Sequence, residues 1–346
     1  MPLRPNFIER WIIRSGVIPG PLLDLGMGTF TASAMIAAGE IELFRTLDKS
    51  PLPLKELAKK TGTNERALNN LLEVLAPLGY VNKKNGQYEL TNYTRKSVPV
   101  ETFHEMIPFF KSQSEVNVLK TKEALQDAPE EGVFGWEKVK SGDVARSYQV
   151  TMRWLAGTTL DEVTKKMKMP KGGTKFLDIG GSHGLYCVEM CRKNPNVEAT
   201  VFDWPIGIEN ARETLKQESD VSDRINTVEG DFHEDDFPGQ YDLAFFGNII
   251  HGNNPEENKK LLKKTAEATT DIGTIGILDQ FDNISGSRFT RSVAALIGWN
   301  LFMFANGRAY EIDDVKRWLV DAGFPKITVK PLKKSPGFTL VVASKK

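Results

Sequence analysis

The sequence predicts an α/β protein, with a doubly wound, Rossmann-like sheet in the C-terminal half and a mostly helical domain of winged-helix type before it. Three observations predict this. Short strand-like runs alternate with helical stretches from Lys175 onward, a glycine-rich turn (Asp178 to Gly184) follows the first run, and Leu52 to Leu90 reads as helix, turn, helix and hairpin. At 346 residues the chain has room for two cores.

From Phe7 to about Leu47 the apolar residues fall at helical spacing, with a break at Pro19 to Pro21. Asp24-Leu25-Gly26-Met27-Gly28 has the spacing of a nucleotide loop. No strand-like run precedes it and no acid follows at the right interval, so it is expected to be a loop entering a helix. Leu54 to Thr61 reads as a short helix, Gly62 and Thr63 as a turn, and Asn64 to Leu78 as a second helix with Leu68, Leu71, Leu72 and Leu75 inward, stopped by Gly79. Tyr80 to Leu90 alternates around Asn85-Gly86, a strong hairpin signal. Thr102 to Met169 is again mostly helical, interrupted near Pro129 to Gly135, and Pro170 to Gly173 marks a boundary. Domains are expected at residues 1–100, 101–170 and 171–346.

In the last of these, strands are expected at Lys175–Ile179, Ala199–Phe202, Ile225–Val228, Asp242–Phe246, Ile275–Leu278, Ile327–Val329 and Thr339–Ala343. Helices such as Gly184–Lys193, Ile208–Gln217, Pro255–Thr269 and Ile312–Ala322 separate most of them.

Basic and acidic residues balance at 45 each, leaving no overall field to draw in nucleic acid or an anionic membrane. Cys187 and Cys191 are the only cysteines. They provide no disulfide framework and lack partners at zinc-site spacing, so no metal is expected and a reducing cytoplasm suits the chain. Met1 to Arg10 carries no apolar run of signal or membrane-span length.

Phe176-Leu177-Asp178-Ile179-Gly180-Gly181-Ser182-His183-Gly184 places glycines where a strand must turn sharply into a helix and admit a ligand to its backbone. About twenty residues on, the next strand ends in Asp203, the place for an acid that binds ribose hydroxyls. Gly230-Asp231-Phe232 follows the third strand and offers a carboxylate for an adenine amine and an apolar face for its ring. A dinucleotide would want the fuller G-x-G-x-x-G pattern, which is absent there. Asp178, two residues before the first glycine, suits a cationic aminoacyl end. The cofactor expected is S-adenosylmethionine, with Asp178, Gly180, Gly181, Asp203, Trp204, Gly230, Asp231, Phe232 and Asn248 as its binding residues.

On these residues the chain resembles the two-domain class I O-methyltransferases of the plant caffeate and bacterial hydroxyneurosporene type, over nearly its whole length. The likeness is most specific at Leu177 to Gly181, Val201-Phe202-Asp203-Trp204-Pro205, Gly230 to Phe232, and His251 to Leu262. It implies a homodimer through the N-terminal domain, an acceptor pocket to which residues 101–170 contribute, and His251 as the general base. An imidazole titrates near neutrality and can take a hydroxyl proton while an activated methyl is held in line. Departures surround that histidine. Asp279 stands, as a shorter acid, where the family has one flanking glutamate, and Ala309 stands in place of the second. Gly247 replaces a lysine, and Asn253 a tryptophan.

The family uses the helices carrying Met152, Trp154, Trp299, Phe302 and Met303 to wall a small-molecule acceptor; core packing accounts for many of these equally well. Arg153, Arg288, Arg291 and Arg308 lie in the same segments and suit either an acceptor carboxylate or solvent. The leading expectation is methyl transfer to a hydroxyl oxygen, with His251 and Asp279 as catalytic residues. A sulfur or carbon nucleophile, needing no strong base, is the alternative. A DNA-binding regulator is the reading from another class, and the outward Glu65, Arg66, Asn69, Asn70 and Glu73 of the second short helix make a poor phosphate-binding stripe.

Overall fold

The apolar runs beyond Lys175 pair into one seven-stranded sheet. The structure, a computed structural model, describes residues 6–15, 20–129, 132–282, 288–335 and 337–346. Its sheet strands are β1 (Lys175–Ile179), β2 (Glu198–Asp203), β3 (Ile225–Glu229), β4 (Tyr241–Gly247), β5 (Thr269–Asp279), β6 (Lys326–Pro331) and β7 (Thr339–Ser344). Their spatial order is 3-2-1-4-5-7-6. Neighbours β1 to β5 are parallel, while β7 runs antiparallel to both β5 and β6, so the sheet is mixed.

Side chains alternate between the two faces, and each face has its own core. Phe176, Val201, Leu243 and Phe245 point to one, under helices Leu185–Lys193, Pro205–Gln217 and Gly142–Lys166. Leu177, Ile179, Ala244, Phe246, Ile275 and Ile277 point to the other, under Pro255–Glu267 and Ile312–Asp321. Burial on both sides is why the central strands read as nearly unbroken apolar runs. Strand order reverses between β1 and β4, and in such sheets ligands bind where the carboxyl ends of the strands diverge.

Two departures from the sequence reading stand out. Strand β5 begins at Thr269, well before the apolar run, because Thr269 pairs with Tyr241, the polar residues after it bulge at a register shift, and pairing resumes at Thr274 opposite Leu243. Asp24 to Gly28 is not a loop but lies inside the helix Gly20–Glu40. Leu22, Leu23, Leu25 and Met27 in that stretch are good helix formers, which offsets the roughly 1 kcal/mol that each internal glycine costs. Of the expected proline break, Pro19 lies outside the described residues, and Gly20 and Pro21 form the first turn of the helix, where proline is tolerated.

By internal contacts the chain divides into Met1–Ser114 and Glu115–Lys346. In the first unit, helices Leu43–Lys49, Leu54–Thr61 and Glu65–Leu75 bury Leu43, Leu47, Leu57, Leu68, Leu72 and Leu75. The hairpin Val81–Lys84 with Gln87–Leu90 follows, and Leu52–Pro53 pairs beside it. Asn85 and Gly86 turn it at φ of 50° and 77°, as a two-residue hairpin requires.

Candidate active site

The chain turns of β1 to β4 converge on one cleft, at the place where open α/β sheets bind small molecules. Gly180, Ser182 and His183 line it from the turn after β1, Asp203 and Trp204 from β2, Phe232 and His233 after β3, and Gly247, Asn248, Ile249 and Asn253 after β4. Helix Gly142–Lys166 adds Tyr148, Gln149, Met152 and Ala156.

Backbone geometry explains the glycines. Gly180 has φ of 65°, and a Cβ there would sit 2.4 Å from Ile249 Cδ1. At Gly230 a Cβ would meet the Phe202 ring at 2.4 Å. Two non-glycine residues on the cleft also hold left-handed backbone, Ser182 (φ 38°) and Asn248 (φ 61°), a conformation that L residues keep only where their surroundings enforce it. Ser182 is held by its Oγ on Gln149 and by Asn210 Nδ2 at 3.2 Å.

Asp203 ends β2 with both carboxylate oxygens engaged from one side. The Ser182 N–H donates to Oδ2 at 2.7 Å and the Trp204 N–H to Oδ1 at 2.6 Å, leaving further lone pairs for a diol. Burial raises its pKa to about 6 against those two hydrogen bonds, which act in the opposite direction. Asp231 accepts the Trp204 indole N–H at 3.0 Å and the His233 backbone N–H at 2.8 Å, and faces an adjoining recess with Trp136 and Lys140.

Asp178 is placed otherwise. It is buried beneath the glycine turn, with Cys187 Sγ at 3.9 Å from Oδ2 and Gly181 packed against its carboxyl, and burial together with the charge of Asp203 raises its pKa well above the ordinary range. It lies behind the lining of the cleft rather than in it, as does Gly181.

His251, in the short turn Ile250–Gly252 after β4, sits between the cleft residues Ile249 and Asn253. Its Nδ1 is 2.6 Å from Oδ1 of Asp279, the fully buried last residue of β5. Asp279 also accepts the backbone N–H of His251 at 3.3 Å and that of Gln280 at 2.8 Å. A carboxylate on Nδ1 fixes the tautomer with the proton there and leaves Nε2 as the basic nitrogen. Among the described residues no group bonds Nε2, and it is not sealed from solvent. At the second glutamate position, Ala309 brings no acid. The backbone there packs directly on the histidine: the Arg308 N–H donates to His251 O at 2.9 Å, and a Cβ on Gly307 would lie 2.1 Å from that oxygen.

Of the expected acceptor wall, Met152 lines the cleft. Met303 is fully buried, and its carbonyl accepts from Val133 and Phe134. Trp154 and Trp299 are exposed, and the Phe302 ring lies tilted against Trp299, 5.6 Å between centroids. Arg308 lies over the Tyr310 ring, and the Arg288 side chain is outside the described residues. The sequence reading missed Trp136, Tyr148, Gln149, Tyr186 and Ile249; the spacing of Gln149, Met152 and Ala156 as one helical stripe was the available signal.

The cleft fits an adenosyl sulfonium. Its described lining has no lysine or arginine to answer a pyrophosphate, whereas it has the Asp203 carboxylate, with lone pairs open to a diol, and several aromatic faces that favour a cation. This sheet order and this donor set define a class I methyltransferase. Comparison with known proteins specifies it further. The profile described as "O-methyltransferase domain" matches residues 119–325, and that of the O-methyltransferase dimerisation domain matches residues 23–98. A 3-hydroxy-5-methyl-1-naphthoate 3-O-methyltransferase of Streptomyces sahachiroi is 27% identical over 337 residues, 95% of each chain. An L-tyrosine C(3)-methyltransferase of Streptomyces lavendulae is 24% identical over 96% of this chain and 95% of its own. The solved structure of human N-acetylserotonin methyltransferase with SAM superposes at a TM-score of 0.79 and 19% identity, covering 94% of this chain and 96% of that one. The chain belongs to the O-methyltransferase family and is an S-adenosylmethionine-dependent methyltransferase.

Proposed function

We propose that the protein methylates a hydroxyl oxygen of a small, flat acceptor, with His251 as general base and Asp279 as the group that orients it. The single observation that carries this is the 2.6 Å contact between His251 Nδ1 and Asp279 Oδ1, which leaves Nε2 to receive a proton beside the cleft. When bound, S-adenosylmethionine supplies a methyl already activated by the sulfonium charge. Asp203 would hold its ribose and Phe232 would face its adenine, with Asp231 and Trp204 alongside, while Gly180 and Asn248 shape the backbone floor. The chain's own work is then alignment and proton removal. His251 Nε2 would take the proton of the acceptor O–H as that oxygen receives the methyl group that the bound cofactor would supply.

The naphthoate relative, whose name states a 3-O-methylation, supports a planar acceptor of bicyclic size. A homodimer through the N-terminal domain is supported by the match over residues 23–98. The two unpaired buried cysteines suit the cytoplasm, and no helix among the described residues is long and apolar enough to cross a membrane. The test is incubation with methyl-labelled S-adenosylmethionine and pooled phenols, thioethers and hydroxy acids, followed by identification of the product. A labelled methyl ether supports the proposal; label on sulfur or carbon overturns it.

A further inference from the structure

Helix Gly20–Glu40 lies largely within the segment that the dimerisation profile matches, and its last turn is tied down by a histidine from another helix. His104, near the start of helix Val100–Leu119, is buried, and its Nδ1 lies 2.9 Å from Gly39 O. On the other side of the ring, Nε2 accepts the Arg45 N–H of helix Leu43–Lys49 at 3.1 Å. One imidazole therefore clamps two consecutive helices across their link, Ile41-Glu42, where Glu42 holds left-handed backbone at φ 54°.

Local sequence makes the clamp possible. Gly39 lets the other helix come close: a Cβ there would fall 2.3 Å from Cγ1 of Ile107, which follows His104 by three residues on the same helix face. Carbonyls in the last turn of a helix and N–H groups in the first turn lack partners within it. Glu42, the residue before the second helix, makes no side-chain cap, and the His104 ring supplies an acceptor to that turn instead.

Only a neutral imidazole with its proton on Nδ1 serves both ends, donating to Gly39 O and offering a lone pair to the Arg45 N–H. A second proton would set one N–H against another. The charged groups facing the ring are Arg45 from the second helix, Glu42 from the link and Glu101 from the histidine's own helix. Arg45 pairs with both acids, its Nε donating to Glu101 at 2.8 Å, and Glu40 at the end of the first helix pairs with Lys111. Burial, with Arg45 adding to it, holds the His104 pKa below its ordinary value, against the bond to Gly39 and the two glutamates, which favour the charged ring. The clamp's contribution is thus complete above about pH 6.5, the ordinary histidine value, and is lost as the pH falls below it, because the released chain takes the proton more readily.

We propose that His104 is an acid-sensitive latch: its protonation frees the end of helix Gly20–Glu40 and so weakens the contact of this domain with a second copy of the chain. The proposal rests on the homodimer reading, not on the acceptor or the base.

Sedimentation velocity on the full-length protein at pH 7.5, 6.5 and 5.5, at fixed ionic strength, tests it. The dimer dissociation constant of the wild type should rise by about 10-fold or more across that range, the scale of one pKa unit of difference. His104→Gln, uncharged throughout, should lose most of that slope, whereas a merely structural histidine would shift the constant equally at every pH. Hydrogen exchange on the wild type gives a reading that needs no variant. After correction for intrinsic rates, peptides covering residues 37–47 should lose protection at pH 5.5 while those covering 68–75 keep it. A dimer insensitive to acid, a slope that survives in His104→Gln, or unchanged protection at 37–47 would each overturn the proposal. A wild-type chain that is monomeric at pH 7.5 would overturn the homodimer reading and the latch with it.

Discussion

Asp279 grips His251 at two points, accepting from the ring Nδ1 at 2.6 Å and from the backbone N–H at 3.3 Å. One carboxylate thereby sets both the tautomer of the imidazole and the position of its backbone. The shorter side chain reaches because Asp279 is the last residue of β5, while His251 follows two residues after Ile249 on the neighbouring β4 turn.

If His251 removes the acceptor proton, His251→Ala should lower kcat by on the order of 10²-fold or more while leaving S-adenosylhomocysteine affinity unchanged. Asp279→Asn should also cost at least about tenfold, because an amide can turn its N–H₂ toward Nδ1 and force the proton onto Nε2. Turnover measured beside cofactor titration separates the two effects. A His251→Ala enzyme with near-normal kcat would remove the base from the mechanism.

The turns that shape the cleft were readable in sequence because backbone requirements leave residue signatures: Gly180 for a positive φ, Gly230 for a ring at its shoulder, an acid where β2 ends. The sheet strands were readable for the same kind of reason, since two-sided burial makes apolar runs. The wall opposite them was not. Which of Met152, Trp154 or Met303 meets the ligand depends on how a helix is rotated against the sheet, and several faces of those helices carry apolar residues. Asp178 shows the limit from the other side. Its position in the motif is plain, yet only the structure reveals it under the turn beside Cys187.

Asp203 gives a pH dependence whose sign follows from its raised pKa of about 6. If Asp203 holds the cofactor ribose, the hydroxyls donate to the ionised carboxylate, so binding should favour the deprotonated form. Affinity for S-adenosylhomocysteine should be flat above about pH 7 and fall as the pH drops through 6. Asp203→Asn should bind about 10- to 100-fold more weakly at pH 7.5 and lose most of that slope. Titrations at pH 5, 6, 7 and 8 check this, and a slope that survives in the Asn variant would place the titrating group elsewhere.

Gly207 tests the same carboxylate sterically. It lies in the first turn of helix Pro205–Gln217, where a Cβ would fall 2.5 Å from Asp203 Cγ. Gly207→Ala should displace that side chain and cut cofactor affinity about as far as Asp203→Asn does. Gly157, in the interior of helix Gly142–Lys166, has open space around it, and a Cβ there would meet nothing within 4 Å. There the same change should leave affinity alone and raise stability by roughly 0.5–1 kcal/mol, seen as a higher Tm.

The N-terminal unit leaves a large apolar surface on a single chain. On helix Gly20–Glu40, Leu25 is 70% and Phe30 62% exposed, in the segment that matches the dimerisation domain. Exposed apolar groups of that size, clustered on one element, mark a surface that another molecule covers. The paired substitution Leu25→Asp with Phe30→Asp should turn a dimer into a monomer by light scattering. Both side chains are mostly exposed on the single chain, so far-UV circular dichroism should stay that of the wild type. A variant that remained dimeric would show that the subunits meet through a different face.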